Sequence, residues 1–310
     1  MQNSKQPSLG PTFRKPVSKI DVHTHVGVDG SPNRFSPEDR IAFNKMMDIS
    51  KSVLLPTAPQ GILDLGFPEE VLKNMSMPLD SQAAYELCQK YPDNYAWMCN
   101  TYLDGTDAPY AELKKYKEMG ACGVGEFAQR LRFDDPKMEQ LFGWLEELDM
   151  PFLFHMSPDG ITYGVVDEPG LPLLEGALQK FPKLKFIGHS QPFWFEIGTY
   201  PQNLTAQERN VYPSGKVTPG RLPYLLEKYE NLYGDLSADS AGNAIMRDPD
   251  YGLEFMNKFQ DKLMYGSDTP SAYFHYPLGA YLDSLLHQLK MSPEVYTKIC
   301  CTNAKRILGI

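Results

Sequence analysis

The chain has 310 residues, 42% hydrophobic and 22% charged, a composition able to bury a large core and unlike that of a disordered chain. Its formal net charge of −9 excludes a sequence-independent grip on nucleic acid or an anionic membrane, since both need a basic face for phosphates. A small molecule is the partner this balance favours.

The opening MQNSKQPSLGPTFRKPVSK lacks the apolar stretch of a secretory leader. No later segment reaches the roughly 20 apolar residues of a membrane span, so a cytoplasmic location is expected. Residues 1–18 read as an N-terminal extension to a single domain over 19–310. Cys88, Cys99, Cys122, Cys300 and Cys301 are odd in number and form no CxxC pair, which predicts reduced, mostly buried thiols.

Eight short apolar runs follow in order: IDVHTHV (20–26), SVLLPT (52–57), YAWMCNT (95–101), GVGEF (123–127), FLFHM (152–156), LKFIGH (184–189), LYGDLS (232–237) and LMYGSD (263–268). Most are too continuously apolar for half-exposed strands and read as parallel strands buried on both faces. Helical patterns lie between them. Ser36-Pro37-Glu38 has the capping hydroxyl, the early proline and the acidic first turn of a helix start, and Asp135-Pro136 opens another. YAELKKYKEMG stops at Gly120, and PLLEGALQKF and LPYLLEKYE carry apolar residues at helical spacing. Eight alternations predict an α/β fold of the (β/α)8 TIM-barrel type. Three long gaps, 58–80, 157–170 and 191–220, each follow a predicted strand and are expected to wall a pocket over the carboxyl-end face.

The chemistry concentrates at the strand ends. His23 and His25 are two apart on the first strand, so both imidazoles take the same face, and His155 and His189 end the fifth and sixth strands. Four of the six histidines thus lie at strand ends. Asp268 ends the eighth strand. Strands one, five and eight can aim at one point above the barrel, where three imidazoles and a carboxylate suit zinc or a similar ion. His23, His25, His155 and Asp268 are the expected metal ligands, with Asp268 also the candidate base. His189 is left as a catalytic acid or base, an orienting partner, or a ligand to a second ion. Backbone-satisfied loop residues would explain any one of these positions but explain four together badly.

These residues resemble the amidohydrolase superfamily, in particular the branch of aminocarboxymuconate-semialdehyde decarboxylase and its relatives. IDVHTHV, FLFHMS, FIGHSQ, MYGSDTP and the final NAKRILGI carry the resemblance over essentially the whole chain. It implies a metal-binding role for His23, His25, His155 and Asp268 and a catalytic one for His189. Binuclear members often have a carboxylated lysine or a glutamate on strand four. This chain has Glu126 there, which would bridge two ions, orient a liganding histidine or bind substrate. One divalent ion is preferred, Zn2+ with Mn2+ as the alternative, and a second ion is the further option. Decarboxylases of phenolic acids in the family often begin with ExH, where this chain has HxH.

Weaker candidates surround the site. Arg130 is placed to meet a substrate carboxylate, Trp194 within PFWFEIG to form an aromatic wall, and Tyr273 and His275 to reach the pocket mouth. His287 sits in an outer helix, away from the chemistry. The expected function is metal-dependent hydrolysis of a small carboxylate-bearing amide or lactone. The alternatives are non-oxidative decarboxylation of an unsaturated or aromatic acid on the same ion and a non-catalytic ligand-binding barrel. Barrels of this size are often homo-oligomers, a homodimer or higher.

Overall fold

The alternation of apolar runs and helical patterns is realised in the computed structural model, which describes residues 15–27, 34–57, 79–160, 163–201, 203–274 and 276–310. Strands β1 (Lys19–Thr24), β2 (Ile49–Leu54) and β3 (Tyr95–Trp97) pair in that order, and β4 (Val124–Phe127), β5 (Phe152–Ser157), β7 (Phe186–His189), β8 (Leu232–Leu236) and β9 (Leu263–Tyr265) form a second run. The two-residue β6 (Val165–Val166) hangs from the end of β5 and lies off this path. All pairings are parallel.

Backbone hydrogen bonds stitch both seams between the two runs. Beyond β3, Cys99 donates to Gly123 O and accepts from Gly125 N, each at 2.9 Å, and beyond β9 the Asp268 N–H donates to His23 O at 2.9 Å. The eight principal strands with helices between them make a (β/α)8 fold.

Strand alternation sorts the side chains into two cores. Ile20, Val22, Val53, Met98, Leu153, Ile187 and Met264 pack together in the barrel interior. Phe152, Phe154 and Phe186 face the helices, where Phe142 from the helix Pro136–Glu147 meets Phe152 and Phe186 edge-on. The predicted helix starts are present. Ser36 Oγ accepts from Asp39 N at 3.1 Å ahead of Pro37–Met46, and the Asp135 carboxylate accepts from Lys137 N at 2.8 Å ahead of Pro136–Glu147.

Two of the expected long loops carry structure of their own. Helices Gln191–Phe195 and Ala206–Arg209 lie within 191–220, and β6 lies within 157–170. Of the gap 58–80, residues 58–78 lie outside the described residues. The five cysteines are free thiols, all buried except Cys122, which is half-buried. Among the described residues no helix is long and apolar enough to cross a membrane.

Candidate metal centre

Parallel pairing sets the centre. His155 and His189 are register partners on β5 and β7, on the inward face with Leu153 and Ile187. Ser190 locks the two strand ends together: its backbone is left-handed (φ 89°), and its Oγ accepts from Met156 N at 3.0 Å. On β1 the register with β2 shifts between Asp21 and Thr24, the kind of irregularity that re-aims side chains at a strand end. Asp21 turns outward to the buried Arg40 guanidinium, and the Asp21 Oδ1 atom accepts from Ser267 N at 2.8 Å. Arg40 also donates to Thr269 O and Ser267 Oγ at 3.2 and 3.1 Å, so one buried cation braces both residues flanking Asp268. Asp268 itself is left-handed (φ 51°), a conformation that asparagine and aspartate tolerate better than most residues.

The side chains that converge are His23, His25, Glu126, His155, His189 and Asp268. Three overlapping sets of donor atoms, His23–His25–Glu126, His23–His189–Asp268 and Glu126–His155–His189, each lie within 4.8 Å of one another. Glu126 sits among the imidazoles, with Oε1 2.6 Å from His155 Nδ1 and Oε2 3.2 Å from His25 Nε2 and 3.5 Å from His23 Nε2. Asp268 lies 3.6, 3.7 and 3.8 Å from the Nε2 atoms of His23, His25 and His189, and its side chain is 24% exposed, the most accessible of the group.

Proton bookkeeping bears on what the centre holds. His25 Nδ1 is 3.0 Å from Leu55 O, and a carbonyl only accepts, so Nδ1 carries the proton and Nε2 keeps a lone pair. His23 Nδ1 is 2.6 Å from Asp235 Oδ2, which orients that ring in the same way. The two Nε2 atoms face each other at 3.1 Å. Two lone pairs at that separation repel unless a proton or a cation lies between them. Burial alone would lower the His23 pKa, but the carboxylates of Asp268, Asp235 and Glu126 outweigh it and hold it well above its ordinary value. For Glu126, burial opposes ionisation, yet the His155 and His23 imidazoles hold its carboxyl well below the usual range. Imidazoles and carboxylates packed this densely, with positive charge demanded at their centre, are a donor set that fits a divalent ion.

Asp235 and Ser237, at the end of the predicted strand LYGDLS, were not singled out from the sequence. Asp235 is fully buried, and its carboxyl, opposed by burial, is lowered to about 2 by the His23 and His189 rings. A charged residue inside an apolar strand was the available signal. Gly266 makes room for it, since a Cβ there would lie 2.4 Å from Asp235 Oδ1. Tyr163 is a second unforeseen neighbour, with its ring 4.7 Å from that of His155 and its hydroxyl pKa pushed up to about 12 by burial and by the Glu126 and Asp268 carboxylates.

The weaker candidates stand differently. Trp194 does not wall the mouth: it is 1% exposed, packs against Phe193, and donates from Nε1 to Asp235 O at 3.1 Å, supporting β8 from behind. Arg130 pairs with the exposed Asp159 at 2.7 Å. Tyr273 is 82% exposed, and His275 lies outside the described residues.

A (β/α)8 barrel whose strand ends gather four imidazoles and two carboxylates defines the class of protein. An amidohydrolase family model matches residues 20–310, and the chain belongs to that family. No curated protein matches it. Among solved structures it is similar to 2,6-dihydroxybenzoate decarboxylase from Rhizobium (17% identity, TM-score 0.60, covering 94% of this chain and 99% of that one). It is also similar to 5-carboxyvanillate decarboxylase from Novosphingobium aromaticivorans complexed with manganese and a nitrobenzoic acid (21%, 0.55, 88% and 80%). A third is a probable 2-pyrone-4,6-dicarboxylic acid hydrolase from Acinetobacter baumannii with citric acid bound (14%, 0.56, 95% and 100%). At these identities the likeness is one of fold.

Proposed function

We propose that the chain is a metal-dependent hydrolase of a small carboxylate-bearing lactone or amide. The observation that carries the metal reading is the pair of Nε2 atoms of His23 and His25, 3.1 Å apart, with both Nδ1 atoms engaged by acceptors. In this reading His23, His25, His155 and Asp268 hold one divalent ion, zinc first and manganese as the alternative, and Glu126 orients His155 through its Nδ1 at 2.6 Å, meets substrate, or bridges to a second ion. When bound, such an ion supplies Lewis acidity, polarising a substrate oxygen and lowering the pKa of water towards about 7. Asp268, the accessible carboxylate, takes a proton from the attacking water. Asp268 then passes that proton to His189 Nε2, 3.8 Å from its Oδ2 atom, and His189 returns it to the leaving group. Tyr163 offers a flat face beside His155 for a planar ring.

Decarboxylation is the second reading, favoured by the same flat face and by the acids on which two of the named structural relatives act. There Asp268 or His189 would deliver a proton to the carbon that loses carbon dioxide. The HxH opening, in place of the ExH frequent in phenolic-acid decarboxylases, ranks hydrolysis first. A panel of lactones, amides and aromatic or unsaturated acids, assayed in parallel for ring opening and for released carbon dioxide, separates the two. Ring opening or amide cleavage without carbon dioxide is expected, and carbon dioxide release from an acid with no hydrolytic turnover would contradict the first reading.

A further inference from the structure

We propose that Ser237 is a positioning residue that holds the His189 imidazole as its Nδ1–H tautomer and thereby leaves the His189 Nε2 lone pair facing Glu126 and Asp268. The inference deepens the role given to His189 above and rests on that reading for its consequence in catalysis, but the tautomer itself does not depend on the reaction.

The argument is a count of protons. Ser237 Oγ lies 2.8 Å from Asp235 Oδ2 and 2.9 Å from His189 Nδ1. A hydroxyl has one proton to give. Asp235 Oδ2 also receives the Nδ1–H of His23 at 2.6 Å, so that oxygen has no proton to offer Ser237. The hydroxyl therefore donates to Asp235, and its lone pair must accept from His189 Nδ1. In the neutral ring the remaining nitrogen, Nε2, is then the bare one, 3.6 Å from Glu126 Oε1 and 3.8 Å from Asp268 Oδ2.

One buried carboxylate oxygen thus orients two imidazoles, His23 directly and His189 through Ser237. The arrangement is rigid. Ser237 is 1% exposed and precedes the helix Ala238–Met246, and a Cβ at Gly266 would fall 2.9 Å from the Ser237 Cβ. A direct path competes with the relay, because His189 Nδ1 also lies 3.3 Å from Asp235 Oδ2. The experiment has to separate the two.

Ring-nitrogen NMR on zinc-loaded, 15N-histidine-labelled protein reads both tautomers, with a His189→Gln variant assigning the signals. The wild-type protein is expected to show His189 protonated on Nδ1 and bare on Nε2. In Ser237→Ala the Nδ1–H to Nε2–H ratio of His189 should fall several-fold while His23 is unchanged, and Ser237→Thr should restore it. On any substrate the panel identifies, Ser237→Ala should lower kcat about 10–100-fold with KM within about twofold, the size of effect typical of groups that orient reactive histidines. A wild-type His189 protonated on Nε2 would overturn the proposal. So would a Ser237→Ala protein whose His189 signals match the wild type, which would assign the ring to Asp235 directly. Absence of any turnover on the panel would instead count against the function proposed above, leaving the tautomer result standing.

Discussion

At the scale of single residues, the centre depends on groups that touch no ligand. Asp235 is the clearest case: it is fully buried, it fixes the orientation of His23, and its charge raises the basicity of that ring. Asp235→Asn keeps the volume and removes the charge, so the protein should stay folded while zinc affinity falls about 10–100-fold in a competition titration against a chromophoric chelator. Unchanged affinity would mean that His23 needs no carboxylate behind it. The HxH pair, His155, His189, Glu126 and Asp268 were legible because their spacing and strand-end positions are properties of the sequence. Asp235 and Ser237 were not, because whether an acid in an apolar strand faces a histidine or a helix is decided by tertiary pairing. The place of Trp194 is decided in the same way. Its place after His189 in sequence suggested the mouth, but the helix Gln191–Phe195 turns the indole under β8.

At the scale of elements, the parallel strands were readable from continuous apolar runs, and the helix starts from their caps. Ser36 and Asp135 each accept a first-turn N–H, so Ser36→Ala and Asp135→Ala should each cost about 1 kcal/mol in urea denaturation, without loss of metal. Losses near zero would show that neighbouring turns satisfy those donors. Strand ends were less legible. YAWMCNT reads as seven strand residues but only Tyr95–Trp97 pair as strand, and LMYGSD ends as strand at Tyr265, three residues before Asp268. The strand ends where Gly266 leaves space for the Asp235 carboxylate and Ser267 N turns to Asp21, so the packing of these two buried acids interrupts its regularity. The two-residue β6 is too short for any pattern to reveal.

At the scale of the whole molecule, acidic groups set the response to pH. Asp167 is 2% exposed, and burial pushes its carboxyl up to about 7, against the backbone N–H groups of Leu174, Leu173 and Glu168 that favour its charge. A folded pKa above the ordinary 3.8 means that the folded state binds the extra proton, so this contribution to stability is complete below pH 3.8 and is lost as pH rises through about 7. Relative to Asp167→Asn, the wild-type protein should lose about 1.4 kcal/mol per pH unit of unfolding free energy between pH 5 and pH 7. Parallel stability curves for the two proteins would show Asp167 to be ionised throughout. The central claim is that the barrel is built around a divalent ion, and metal content per chain, measured by plasma mass spectrometry on tag-free protein beside an Asp268→Asn variant, tests it most directly. About one ion in the wild type and a marked loss in the variant are predicted. A wild-type protein that holds no ion even after incubation with zinc or manganese would contradict the account.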